Sequence, residues 1–340
     1  MITVYSEKHL LRNPRTELYG GELVAPHECA QRAEFVLGRV KATGLGDIIA
    51  PSQFGLEPVV RVHDAEFVEF LSSAWTEWLD AGNRGEAIPD CWPARRMAVR
   101  RPNSITGKLG YYAMAAETSI SAGSWEAACA SADVALTAAA RLATGERGAF
   151  ALCRPPGHHA ARDLYGGYCF LNNAVIAAQY LRDHGNERVA ILDVDFHHGN
   201  GTQDIFYARS DVLYCSIHGD PLDAFPYFAG YADEIGSGEG TGYNLNLPLP
   251  RGTDFRVWRA ALETALARIV KFAPGALVVS LGVDTFENDP ISFFKLKTDD
   301  FARYGRLISA LGLPTLFVLE GGYAVAEIGV NAVNVLQEFA

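Results

Sequence analysis

Short apolar segments alternate with longer amphipathic segments along most of the chain. The short segments have the composition of buried strands, at 1–5, 149–152, 189–192, 212–215, 276–281 and 315–319. The longer segments have the apolar spacing of helices, at 125–144, 173–184, 255–272, 298–311 and 326–339. Apolar strands separated by helices indicate a parallel sheet covered on both faces. We therefore predict one α/β domain over residues 1–340, with Ser124 as the N-cap of the helix that follows it.

Residues 72–123 do not follow this alternation. They combine tryptophans, prolines and glycines with a group of basic residues, Arg95, Arg96, Arg100, Arg101 and Lys108. Such a composition is typical of a long functional loop, of an arm that joins two subunits, or of a basic binding patch. The pattern alone does not choose among these three.

Composition narrows the class of protein. The chain has no run of eighteen apolar residues, so we expect no conventional membrane span. Its six cysteines include no CxxC pair, which indicates reduced thiols, and the first residues lack a signal-like layout, so we expect a cytoplasmic location. The formal net charge of −11 disfavours nucleic acid as a partner and suits a cationic ligand.

Polar side chains follow five of the predicted strands, at the point where each strand ends. They occur in the segments 154–159, 193–201, 216–220, 282–284 and 320–323. The carboxyl ends of parallel strands lie along one edge of a sheet, and ligands of open α/β sheets bind beyond that edge. We therefore expect the histidines, aspartates and tyrosine of these segments to meet at one site.

Asp193, Asp195 and His197 are spaced by two residues where a strand runs into a loop. In an extended backbone this spacing places the three side chains on one side of the chain. Asp195 and His197, together with Asp284 from another strand end, would make a metal site with open positions. Two oxygen ligands and one nitrogen ligand suit Zn²⁺, and also Fe²⁺, Co²⁺ or Mn²⁺. The ordinary alternative is that Asp-x-Asp serves only as a turn and helix cap.

Two further features could carry chemistry beside a metal. The doublet His158-His159 follows Pro-Pro-Gly, which stiffens its approach, and neither histidine is needed as a ligand, so both can move protons. Tyr323 follows two glycines, and a phenol on such a hinge can donate a hydrogen bond to a developing oxyanion. Taken alone, the same tyrosine could be packed in a turn.

Five motifs resemble those of the histone deacetylase superfamily and follow that family's order. They are Arg154-Pro-Pro-Gly-His-His159, Gly166-Gly-Tyr-Cys-Phe-Leu-Asn-Asn173, Asp193-Val-Asp-Phe-His-His-Gly-Asn-Gly-Thr202, Ser280-Leu-Gly-Val-Asp284 and Glu320-Gly-Gly-Tyr323. Within the superfamily, the segments 12–21, 72–123 and 286–294 resemble those of the bacterial acetylpolyamine amidohydrolases. The resemblance covers most of the chain.

The resemblance implies an arginase-like, three-layer fold around a mostly eight-stranded parallel sheet. It implies one Zn²⁺ held by Asp195, His197 and Asp284, with catalysis by His158, His159 and Tyr323. In this reading, His159 is the general base and then the general acid, and His158 is its electrostatic companion. Tyr323 helps the metal to polarise the acetamide carbonyl.

The resemblance also assigns residues that support the histidines. Asp193 matches the position that supports His158, and Asn200 stands where many relatives have an aspartate beside His159. A neutral partner stabilises imidazolium less than a carboxylate does, so we expect His159 to be less basic than His158. A structural K⁺ site is implied as well, formed by Asp193, Asp195, His197, Ser216 and Ile217.

The implied substrate is a small cationic molecule, an acetylated polyamine or diamine that is hydrolysed to acetate and the free amine. The matching substrate positions are Gly167, Tyr168 and Phe225 along the acyl tunnel, and Glu17 and Glu117 for the ammonium charge. Each glutamate could instead belong to an ordinary solvated surface. Some relatives have an acidic residue near position 106, where Thr106 in this chain favours shorter or singly charged amines.

Other readings remain open at this point. In relatives, a segment like 72–123 joins two subunits and narrows the entrance, so we expect a homodimer through it. A more open entrance would suit a deacetylase of acetyl-lysine in proteins or peptides. Arginases share the fold, which keeps a dimanganese ureohydrolase as a weaker alternative. The remaining alternative is a metal-bound sensor or scaffold without catalysis.

Overall fold

The computed structural model describes residues 1–339. In chain order, its strands are β1 (Ile2–Val4), β2 (Glu17–Tyr19), β3 (Glu22–Val24), β4 (Ile48–Ile49), β5 (Gly148–Ala151), β6 (Val189–Asp193), β7 (Val212–Gly219), β8 (Asn244–Leu249), β9 (Ala276–Leu281) and β10 (Thr315–Leu319). Its α-helices are α1 (Gln31–Thr43), α2 (Glu57–Val60), α3 (Ala65–Asp80), α4 (Ile105–Tyr112), α5 (Ser124–Ala143), α6 (Asn173–Asp183), α7 (Asn200–Phe206), α8 (Phe255–Phe272), α9 (Thr298–Ser309) and α10 (Ile328–Leu336).

A parallel sheet of eight strands forms the centre, in the order β4-β1-β5-β10-β9-β6-β7-β8. Neighbouring strands pair in register over several residues, as β6 does with β9 from Val189 opposite Ala276 to Asp193 opposite Ser280. Strands β2 and β3 form a separate antiparallel hairpin. The predicted parallel α/β sheet with eight strands is therefore confirmed.

Side chains of the sheet alternate between two apolar cores, one on each face. In β6, Ile191 belongs to the core that includes residues of α5 and α6, whereas Leu192 belongs to the core that includes residues of α1, α8 and α10. This alternation follows from the two-residue period of a strand and explains why the strand segments are apolar throughout. No helix within residues 1–339 combines the length and the apolar character needed to cross a lipid bilayer.

The predicted strands 276–281 and 315–319 and the predicted helix 255–272 have the same bounds in the structure, and the other predicted elements differ by a few residues at one or both ends. The prediction of Ser124 as an N-cap is wrong, because α5 begins at Ser124 itself and Gly123 precedes it. The Oγ atom of Ser124 accepts hydrogen bonds from the backbone N–H of Ser121 and from the guanidinium of Arg12 instead.

The sequence pattern does not predict β8, which is the edge strand beside β7. Its alternation of asparagine with leucine and its proline, Pro248, are typical of a loop. An edge position tolerates proline, since one side of the strand needs no ladder hydrogen bond. Asn244 and Asn246 are buried and both donate to Oε1 of Gln203, at 2.9 and 2.7 Å.

The segment 72–123 is partly helical. It begins within α3 and contains α4, which leaves 81–104 and 113–123 as its irregular parts. Two of its basic side chains face acidic partners on α3, Arg101 with Glu66 at 3.4 Å and Lys108 with Glu77 at 2.7 Å. The group of basic residues is therefore partly neutralised by the fold.

The polar segments that follow β5, β10, β9, β6 and β7 lie side by side, because these five strands are consecutive in the sheet. Strand β6 follows β5 in sequence, but β10 and β9 lie between them in space. Such a reversal of strand order opens a crevice at the carboxyl ends of the strands, where ligands of α/β folds bind.

Candidate active site

Asp195, His197 and Asp284 come together in this crevice. One possible ligand atom of each residue lies within 4.8 Å of those of the other two, and all three residues are buried. Nδ1 of His197 is 2.9 Å from Oδ2 of Asp284 and 3.3 Å from Oδ1 of Asp195. The structure therefore brings together the three residues that the sequence predicts as metal ligands.

The charges of this cluster suit a cation. Burial and the neighbouring carboxylate of Asp195 raise the pKa of Asp284 to about 8. Burial also opposes ionisation of Asp195, but the positive charges of His158 and His197 outweigh it and hold the pKa of Asp195 below its usual range. Two buried carboxylates with one imidazole form a donor set that a divalent metal ion fits.

Glycines leave room beside these carboxylates. A Cβ atom on Gly321 would lie 2.5 Å from Oδ2 of Asp284 and 2.6 Å from Oδ2 of Asp195. A Cβ atom on Gly282 would lie 2.0 Å from Oδ2 of Asp195. Side chains at either position would displace the donor atoms, so the glycines keep the cluster compact and its surroundings open.

The two histidines of the doublet have different partners. Nδ1 of His158 donates to Oδ2 of Asp193 at 3.1 Å, and Nδ1 of His159 donates to Oδ1 of Asn200 at 2.8 Å. Burial lowers the pKa of His158, but Asp195 and Asp193 outweigh it and raise the pKa to about 10. Burial and the charge of His158 lower the pKa of His159. These directions of the two pKa values agree with the prediction that His159 is the less basic of the two. The largest cause for His159 is burial, however, and not the neutral partner Asn200.

A buried ion network holds the loop that carries the doublet. Oε2 of Glu320 accepts hydrogen bonds from the backbone N–H groups of Gly157 and His158, at 2.7 and 3.1 Å. Oε1 of Glu28 accepts from Arg154 at 2.8 Å and from Arg32 at 3.1 Å. Sequence reasoning missed Glu28 and Arg32, because an acid and a base four residues apart at the start of a helix usually form a surface pair.

The same network reaches the loop of Tyr323. Arg32 donates to the backbone carbonyls of Gly322 and Glu320, and its guanidinium carbon lies 4.8 Å from the centroid of the Tyr323 ring. Oδ2 of Asp289 accepts from the backbone N–H of Tyr323 at 2.7 Å. Burial raises the pKa of Tyr323 well above its usual value, so the phenol keeps its proton and can act as a donor.

A cavity of about 450 Å³ leads from the surface to the cluster. Its buried wall includes the predicted site residues His159, His197, Gly167, Tyr168 and Tyr323. Its other predicted wall residues are Phe225 and Glu117. Its exposed end, called the mouth below, is formed by Tyr19, Asp223, Tyr227 and Arg251. A cavity that combines aromatic side chains with several polar groups is typical of a small-molecule site.

Glu17 does not line this cavity, unlike Glu117. It is buried behind Tyr168, whose hydroxyl donates to Oε1 of Glu17 at 3.1 Å. The other oxygen of Glu17 accepts from the backbone N–H of His27 at 3.1 Å. Burial raises the pKa of Glu17 to about 7. The structure therefore places Glu17 where it can orient Tyr168, and it places Glu117 on the cavity wall.

The residues predicted around K⁺ lie at the ends of adjacent strands. Asp193 of β6 is opposite Ser216 of β7 in the sheet register, and Ile217 follows in β7. Oδ1 of Asp193 accepts from the backbone N–H of Asp195 at 3.2 Å, and Oγ of Ser216 is 2.8 Å from Nδ1 of His218. All of these residues are buried.

The chain is similar to known deacetylases over its whole length. The family model described as the histone deacetylase domain matches residues 26–339. Acetylpolyamine amidohydrolase 2 of Pseudomonas aeruginosa is 57% identical, with 100% of this chain and 98% of that protein covered. Acetylpolyamine amidohydrolase of Mycoplana ramosa is 56% identical, with 100% of both chains covered.

A solved structure agrees with these sequence comparisons. The crystal structure of acetylpolyamine aminohydrolase from Burkholderia pseudomallei superposes with a TM-score of 0.94 at 41% identity, covering 100% of this chain and 98% of that one. The matching family model, the identities above one half and the shared fold lead to one conclusion: the chain belongs to the histone deacetylase family.

Proposed function

We propose that this protein hydrolyses the acetamide of acetylated polyamines or diamines to acetate and the free amine. The observation that carries the proposal is the Asp195–His197–Asp284 cluster at the inner end of a cavity, with His159 and Tyr323 beside it. Relatives that are 54–57% identical over the whole chain are named acetylpolyamine amidohydrolases, which supports this class of substrate.

Zinc is the metal that we propose for the cluster, with Fe²⁺, Co²⁺ or Mn²⁺ as possible substitutes. Asp195, His197 and Asp284 would hold it, and the two carboxylates would balance its charge. When bound, the ion would supply Lewis acidity toward the carbonyl and make water easier to deprotonate. The donor set supports a single ion, because Asp193 is engaged with His158 and with the hydroxyl of Tyr214.

His159 is the proposed general base and, later in the reaction, the general acid. Its Nδ1 donates to Asn200, which leaves Nε2 to take a proton from water and return it to the leaving amine. His158 stays protonated beside Asp193, and its ring centroid is 4.1 Å from that of His159. This nearby charge lowers the basicity of His159 and keeps it neutral before the reaction.

Tyr323 is the proposed donor to the oxyanion that develops on the carbonyl oxygen. Its phenol remains protonated. Arg32 packs against its ring, and Asp289 accepts a hydrogen bond from its backbone N–H. A donor held in this way needs little reorganisation during the reaction, which is the main source of oxyanion stabilisation in enzymes.

Recognition of the amine would depend on the cavity wall. Tyr168 and Phe225 would enclose the methylene chain, beside Gly167, where any side chain would collide with His159. Glu117 would meet the ammonium group. Glu17 would act indirectly, by holding the hydroxyl of Tyr168.

We further infer a structural K⁺ at Asp193, Asp195, His197, Ser216 and Ile217. The support is that this group joins the ends of two adjacent strands and contains buried oxygen atoms. Such a cation would stiffen the loop that carries two of the proposed zinc ligands. Its positive charge would also offset the buried carboxylate of Asp193.

The homodimer through 72–123 is also part of the proposal. Residues 81–104 of this segment expose Trp92, Met97 and Val99, which form an apolar surface that association would bury.

We also propose a cytoplasmic location, because all six cysteines are free thiols.

The substrate class is tested by comparing kcat/KM of the zinc-loaded protein for acetylputrescine, acetylcadaverine, acetylspermidine and an acetyl-lysine peptide. We expect the free amines to be turned over faster, because Glu117 on the cavity wall can meet their ammonium group. Faster turnover of the peptide would replace this proposal with a protein deacetylase. Two metal ions per chain with release of urea from arginine would identify a ureohydrolase.

Removal of one proposed ligand tests the metal site. We expect Asp284→Asn to bind zinc at least about tenfold more weakly, measured by competition with a chromophoric chelator. The metal-free variant should keep its melting temperature, because the substitution removes a carboxylate whose ionisation burial disfavours. Asp289→Asn is a matched control, since Asp289 is also buried but lies outside the cluster. Equal zinc affinity of wild type and Asp284→Asn would contradict the assignment.

Tyr323→Phe tests the oxyanion donor. Loss of the phenol should lower kcat by about 10²–10³ with a small change in KM, because the hydrogen bond forms mainly in the transition state. Tyr227→Phe at the mouth of the same cavity is the control and should keep near-normal kcat. A near-normal kcat of Tyr323→Phe would refute the role.

Light scattering tests the dimer. We expect a mass of twice the 36.9 kDa chain for the wild type, and a shift toward the single-chain mass for Met97→Glu, which places a charge in the apolar surface. Leu10→Glu, at an exposed apolar residue outside the segment 72–123, should leave the mass unchanged. A single-chain mass for the wild type would count against association through this segment.

A further inference from the structure

The mouth of the cavity carries a basic side chain, Arg251, just after β8. Its guanidinium carbon lies 4.5 Å from the centroid of the Phe293 ring. Its Nε atom is 3.7 Å from Oδ2 of Asp223, and its Nη2 atom donates to the backbone carbonyl of Asp223 at 3.3 Å. These contacts keep a positive charge at the mouth, although 61% of the side chain is exposed.

The position of Arg251 is tied to the metal cluster through two aromatic rings. The ring of Phe293 packs edge-on against Phe196, with centroids 4.7 Å apart. Phe196 in turn packs edge-on against His197, with centroids 4.9 Å apart. A cation over a ring that is itself packed against other rings is held in place by its attraction to the π face. The charge of Arg251 is therefore a fixed feature of the route to the site.

The two carboxylates on the cavity wall outside the metal cluster are not equivalent. Oε1 of Glu117 accepts from the backbone N–H of Gly167 at 2.6 Å, which holds this glutamate beside Gly167 on the cavity wall. Its Oε2 has no hydrogen-bond partner among residues 1–339 and remains available to a ligand. Asp223 is at the mouth and already faces Arg251. Among residues 1–339, Glu117 is thus the one of these two carboxylates without a basic side chain as its partner.

We propose that Arg251 determines specificity by favouring acetylated diamines over longer acetylated polyamines, an inference that rests on the proposed function. An acetylated diamine carries one free ammonium, which Glu117 can meet. The second or third ammonium of a longer chain would come to the mouth, where the guanidinium repels it and the carboxylate of Asp223 is already engaged. Because the mouth is partly solvated, the repulsion is moderate and weakens with salt.

The test compares the ratio of kcat/KM for acetylspermidine to that for acetylputrescine in three proteins. Relative to wild type, Arg251→Gln should raise the ratio about three- to tenfold at about 0.1 M salt, and less than about twofold at about 1 M salt. Arg259→Gln is the matched control, because Arg259 lies on α8, pairs with Glu263 and does not line the cavity. It removes the same net charge and should leave the ratio unchanged.

Two further variants separate charge from shape. Arg251→Lys keeps the cation and should restore a ratio close to that of wild type. Asp223→Asn leaves Arg251 uncompensated and should lower the ratio. If Arg251→Gln and Arg259→Gln give the same ratio while acetylputrescine is still hydrolysed, the inference fails and the proposed function stands. If wild type hydrolyses no acetylated amine, the proposed function and the inference both fail.

Discussion

Burial of several carboxylates at one edge of a parallel sheet is the constraint on which the rest of the site depends. Asp193, Asp195, Asp284 and Glu320 are all fully buried there. An isolated buried carboxylate is costly, so each one needs a compensating partner. Asp193 and Asp195 face histidines, and Glu320 accepts two backbone N–H groups. Asp284 accepts from the backbone N–H of Phe196 and lies 2.9 Å from Nδ1 of His197, while burial and the neighbouring Asp195 raise its pKa.

The parts of the site that lie close together in sequence could be predicted. The spacing of Asp193, Asp195 and His197 follows from one strand end, and parallel strands bring Asp284 to the same edge. The prediction worked because the five strands with polar ends are consecutive in the sheet, an order that the alternating pattern does not specify. The resemblance to a known family supplied the proposed roles.

Residues that act through distant contacts could not be predicted. Arg32 contacts Gly322, which is 290 positions away in the chain, and Glu28 contacts Arg154, which is 126 away. No local pattern distinguishes such a buried pair from an ordinary surface pair on a helix. Glu17 shows the opposite difficulty, because its charge suggested contact with the ligand, whereas the fold turns it toward the hydroxyl of Tyr168. Only packing decides between these two environments.

The network around Glu28 has a consequence for how such a site can diversify. Glu28 binds both Arg154 and Arg32. It therefore links the loop that carries His158 and His159 to the loop that carries Tyr323. The mouth is built from separate segments, the β2–β3 hairpin and the turns that carry Asp223 and Arg251. Substitutions there can accumulate without loosening the reacting groups. This arrangement therefore allows the preference for one ligand over another to change while the groups that carry out the hydrolysis keep their positions.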